Sequence, residues 1–72
     1  MEIPEGYYHK ATNESFNGSE KVAIYHNKVT DDYLVVLGSD EYESLQQGWY
    51  FNKTQLELLI LAASDVLHDE KV

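Results

Sequence analysis

The chain has 72 residues, 43% of them hydrophobic, with no cysteine and a single proline. One domain spanning residues 1–72 fits this length and two do not, while a disordered tail, disulfide staples and thiolate metal sites are all excluded. Thirteen Asp and Glu against five Lys, with no Arg, give a net charge of −8. That balance lacks the footprint of a direct nucleic-acid binder and disfavours an anionic membrane. It favours a basic partner, and it also serves plain solubility.

Met1 to Gly6 has neither a basic nor an apolar leader region, and the longest apolar run, Leu58 to Ala63, is far shorter than a membrane span. The chain therefore reads as cytoplasmic. The first predicted strand is the aromatic stretch Tyr7 to Ala11. Thr12 to Ser19 is polar and contains Asn17-Gly18, a strong turn signal. Lys21 to Asn27 alternates, with Val22 and Ile24 on one face and Ala23 and Tyr25 on the other, the pattern of a half-buried strand. Thr30 to Asp32 is a turn. Tyr33 to Leu37 is a continuous run of β-formers and the expected central strand. Asp40 to Gln47 reads either as a helical turn or as a polar edge strand, with the helical turn slightly favoured. Trp49 to Phe51 is a short strand or a packed aromatic bridge.

A helix closes the chain. Thr54 and Glu57 have capping-box spacing, and Asn52 with Gln55 forms a competing cap two residues earlier. Leu56, Leu59, Ile60, Ala63 and Leu67 repeat at helical spacing and define the stripe expected to pack on the sheet. Leu58, Leu61 and Ala62 form a second, flanking stripe. For a chain with so little core to bury, that second stripe is a candidate homodimer interface. Trp49, Phe51 and Tyr33 are expected to fill the space between sheet and helix. Tyr7, Tyr8, Tyr42 and Tyr50 exceed what so small a core can hold, and exposed Tyr suits an interaction surface.

Residues for chemistry are few. No nucleophile elbow, dinucleotide loop or phosphate-binding loop is present. Asp31-Asp32 and the Asp40, Glu41, Glu43 group lie in polar, solvated stretches, whereas general acid–base work needs a buried carboxyl. A two-residue hairpin at Asn17-Gly18 would set His9 opposite His26, but two histidines without a third ligand do not make a metal site. The sequence thus predicts no catalytic residue, no metal and no cofactor.

Glu43-Ser44-Leu45, preceded by Asp40, Glu41 and Tyr42, is similar to the Glu-Ser-aliphatic triplet of phage-made uracil-DNA glycosylase inhibitors. Small size, acidity and a β-then-α plan resemble the same group, and also anti-CRISPR and anti-restriction DNA mimics. The resemblance implies carboxylates standing where DNA phosphates would lie, with an apolar contact beside them. A strand from Gly48 to Phe51 followed by a helix opened by Thr54-Gln55-Leu56 also resembles small single-stranded-DNA-binding coactivator domains. Those domains are basic on the sheet, so only their architecture carries over.

The expected fold is α+β: an antiparallel sheet of three or four strands with one C-terminal α-helix packed across it. The expected function is a non-enzymatic inhibitor that occupies the basic nucleic-acid site of a host enzyme. Asp40, Glu41, Tyr42, Glu43, Ser44 and Leu45 would bind that partner. The alternative is a small homodimeric interaction or scaffold domain, joined through Leu58, Leu61 and Ala62, whose acidity serves only solubility.

Overall fold

The computed structural model describes residues 2–39 and 47–70. Four strands are followed by one helix: β1 (Tyr7–Glu14), β2 (Glu20–Asn27), β3 (Asp32–Ser39), β4 (Gln47–Asn52) and α1 (Lys53–Glu70). The strands form a single antiparallel sheet in the order β1-β2-β3-β4. This is the expected α+β plan, with four strands and a C-terminal helix.

The first strand runs three residues beyond its expected end at Ala11. Thr12, Asn13 and Glu14 pair with Ala23, Val22 and Lys21. β1 is an edge strand whose residues are exposed after Tyr7, so polar side chains cost nothing there. The loop to β2 is also longer than a two-residue hairpin. Ser15 N donates to the Glu20 carbonyl at 2.9 Å, and Gly18 N donates to the Ser15 carbonyl at 2.9 Å. Gly18 sits at φ 73°, where glycine carries no steric penalty. Asn17 Oδ1 accepts from the Ser19 amide at 3.1 Å and from the Ser19 hydroxyl at 2.7 Å.

β3 is an interior strand, as its apolar run predicts. Its Leu34, Val35 and Val36 are the buried hydrophobic residues among those described, and Leu34 is fully enclosed. Strand alternation puts Leu34 and Val36 on one face and Val35 on the other. The turn before it is built on Asn27, whose Oδ1 accepts from Val29 N at 2.9 Å and Thr30 N at 3.2 Å. Asp31 N donates to the Asn27 carbonyl at 2.8 Å, and Asp31 takes φ 57°.

The helix begins at the earlier of its two candidate caps. Asn52 N donates to Gln55 Oε1 at 2.9 Å and Gln55 N donates to Asn52 Oδ1 at 2.7 Å. This reciprocal pair satisfies backbone groups that the first turn would otherwise leave open. Because Asn52 also ends β4, strand passes into helix with no connecting loop.

That junction changes how the helix meets the sheet. The stripe Leu56, Leu59, Ile60, Ala63 and Leu67 was expected to lie on it. Only Leu56 is half-buried, and every residue from Glu57 to Asp69 is exposed. Contacts between α1 and the sheet run chiefly to β4 and β3. A helix that continues directly from a strand has no slack with which to double back across a face. The dimensions agree: the radius of gyration is 13.5 Å, whereas a compact chain of this length has about 11 Å. Trp49, expected in a sheet–helix core, is 45% exposed for the same reason.

Candidate protein-binding surface

Among the described residues, the helix carries the longest run of exposed apolar side chains. Leu58, Leu61 and Ala62, the predicted interface stripe, are exposed. So are Leu59, Ile60, Ala63, Val66 and Leu67, four of which helical spacing alone would place against the sheet. Solvated apolar residues thus surround most of the helix, whereas a surface helix normally keeps one polar face. No acidic residue lies in the first turn, where Lys53 stands, while Asp65 and Asp69 lie toward the far end.

The sheet adds apolar area. Across β1 to β4, Ala11, Ile24, Val35 and Trp49 form one row, and Asn13, Val22, Leu37 and Gln47 form another on the same face. Val22, Leu37 and Trp49 of these rows are exposed. The opposite face holds a shallow groove of about 350 Å³ lined by Ile3, Thr12, Lys21, Ala23, Tyr25, Val36 and Gly38. Its lining contains no nucleophile beside a histidine and no pair of carboxyls.

The polar features stabilise turns. Asp32 accepts from the Tyr7 hydroxyl at 2.6 Å and from the Thr30 hydroxyl. The Thr30 contact, then the Tyr7 contact, hold the Asp32 carboxyl below the usual carboxylate range. The same bond to Asp32 pushes the Tyr7 hydroxyl above its ordinary value. Both groups therefore move away from neutrality, the reverse of what general acid–base work requires. His26 Nε2 lies 2.9 Å from Asp31 Oδ1, and its ring packs at 4.6 Å against Tyr33.

His9 and His26 do not meet. Tyr8 faces His26, and His9 faces Tyr25, with their rings 5.5 Å apart. A bulge at Lys10 causes the shift. Neighbouring register positions alternate between faces, so the two imidazoles lie on opposite sides of the sheet. Among the described residues no group of three His, Asp or Glu could hold a metal ion. Also among the described residues, no helix is long and apolar enough to cross a membrane.

The acidic candidate site Asp40, Glu41, Tyr42, Glu43, Ser44 and Leu45 lies outside the described residues. No family model, no curated protein and no solved structure matches this chain.

Proposed function

We propose that this chain is a non-enzymatic protein-interaction domain whose C-terminal helix is the binding element. One observation carries the reading: a helix of 18 residues stands with its leucines, isoleucine and valine in solvent past its first turn. An exposed apolar helix invites aggregation unless a partner covers it. The test is retention of binding partners by immobilised wild-type chain and by a variant carrying Leu58→Glu and Leu67→Glu, one change in each stripe. Loss of retention with the sheet intact supports the reading, and unchanged retention overturns it.

The net charge of −8 supports a second reading, the acidic inhibitor of a nucleic-acid enzyme. Its partner would be basic and held by long-range attraction. Retention would then fall steeply as salt rises, and DNA would compete. An apolar helix interface shows neither response.

A further inference from the structure

We infer that the partner of the helix is a second copy of this chain. The face used is Leu56, Leu59, Ile60, Ala63, Val66 and Leu67, and the two helices run antiparallel. The inference rests on reading α1 as a binding element and names what it binds. At about 100° per residue these six side chains fall within an arc of about 120°. Leu56, Leu59, Ala63 and Val66 occupy the alternating three- and four-residue steps of a helix–helix seam, with Ile60 and Leu67 beside them. Between Leu56 and Leu67 no charged residue interrupts the face, and Glu70 falls on the same arc at its C-terminal end. The flanking stripe of Leu58, Leu61 and Ala62 shares its side of the helix with Asp65 and Asp69. Pairing through it would bury those carboxylates.

Surface area argues for a copy rather than a transient partner. The chain exposes 5859 Å², whereas a compact monomer of 8.3 kDa exposes about 4,600 Å². The excess, roughly 1,300 Å², exceeds the roughly 800 Å² per partner of a stable interface. Among the described residues, three buried apolar side chains are also a small core on which to fold alone. A permanent partner meets both needs, and a second copy is always made alongside the first. The antiparallel direction follows from the ends of the helix. The positive pole of one helix then lies beside the negative pole of the other. A parallel pair would set like poles side by side.

Sedimentation equilibrium of the full chain, combined with small-angle scattering, tests this. The expected mass is twice 8.3 kDa. Ala63→Glu, at the centre of the face, weakens the dimer at least about a hundredfold by burying an unpaired charge. Leu61→Glu, on the far side of the helix, leaves the dimer intact despite removing the larger apolar group. Circular dichroism checks that both variants keep their helix. Salt strengthens the association, because each copy brings a charge of −8. The absence of native cysteine makes cross-linking clean. Leu56→Cys mixed with Val66→Cys gives the mixed disulfide if the helices are antiparallel, and Val66→Cys joining to itself overturns that direction.

A dimer lost in Leu61→Glu and kept in Ala63→Glu overturns the choice of face. A monomer that keeps the 13.5 Å radius at every concentration overturns self-association and leaves the helix free to bind another protein. A monomer shrunken to about 11 Å shows the helix lying on its own sheet. That result overturns both this inference and the proposed function.

Discussion

Tyr7 and Asp32 are joined over the top of β2: the Tyr7 hydroxyl donates to Asp32 Oδ2 at 2.6 Å although 25 residues separate them. Both belong to one cross-strand row with Asn27 between them. The bond ties edge strand β1 to interior strand β3. Tyr7 also packs edge-on against Tyr50 of β4, with ring centres 5.6 Å apart.

This pairing predicts a pH dependence. Asp32 has its carboxyl lowered from 3.8 in the fold, so its contribution is fully present above that value. It is lost as pH falls through the folded-state value. Tyr7 is raised from 10.0. Its contribution is present below that value and is lost as pH rises through the folded-state value. Tyr7→Phe should raise the Asp32 carboxyl part of the way back, because Thr30 remains as the larger influence. A carbon-13 titration of the Asp32 carboxyl reads this directly, and an unmoved titration would refute the coupling.

Gly6 predicts a backbone effect. It sits at φ 93°, and an added Cβ would lie 3.0 Å from Asn27 Nδ2. Gly6→Ala should cost about 1–2 kcal/mol from the left-handed conformation. The Asn27 side chain, which accepts from Val29 and Thr30, must also shift. Urea unfolding measures the cost, and a neutral result would place the strain elsewhere.

The two caps can be separated by substitution. Asn52→Ala removes the observed acceptor for Gln55 N and should cost about 1 kcal/mol of stability. Thr54→Ala, at the unused cap, should change stability by less than about 0.5 kcal/mol. Comparing the two denaturation midpoints decides which residue begins the helix.

Lys10 is the extra residue of the β1 bulge. Its deletion would leave His9 opposite Tyr25 and Ala11 opposite Ile24, the pairs already present. A chain lacking Lys10 should therefore fold with the same ladder. Cross-strand nuclear Overhauser contacts at those two pairs should persist, and their loss would show that the bulge sets the register.

Much of the sheet can be read directly from the residues. β2 and β3 announce themselves by alternation and by an unbroken β-forming run. The register near the turn is legible for a particular reason. A two-residue loop at Asn17-Gly18 and the observed loop Phe16–Ser19 share one centre, so both set Ala11 against Ile24. The bulge at Lys10 carries no such mark. An edge strand accepts an extra residue without burying anything unsuitable, so neither hydrophobic pattern nor turn chemistry records it. His9 and His26 part company there.

The helix shows the opposite case. Its existence and its apolar stripes were plain, yet their destination was not. Periodicity states which side chains share a face and is silent about what covers it. That depended on whether Asn52 or Thr54 caps the helix, a choice of two residues that decides whether any loop remains for a turn back over the sheet.

The loopless passage from β4 into α1 also has a mechanical side. An 18-residue helix is a rod of about 27 Å. Rooted at Asn52 by its reciprocal cap, it takes its heading from an edge strand. A change of about 10° in the direction of β4 would carry the far end of that rod through about 5 Å. The junction is a lever arm that turns small adjustments of strand twist into large displacements near His68.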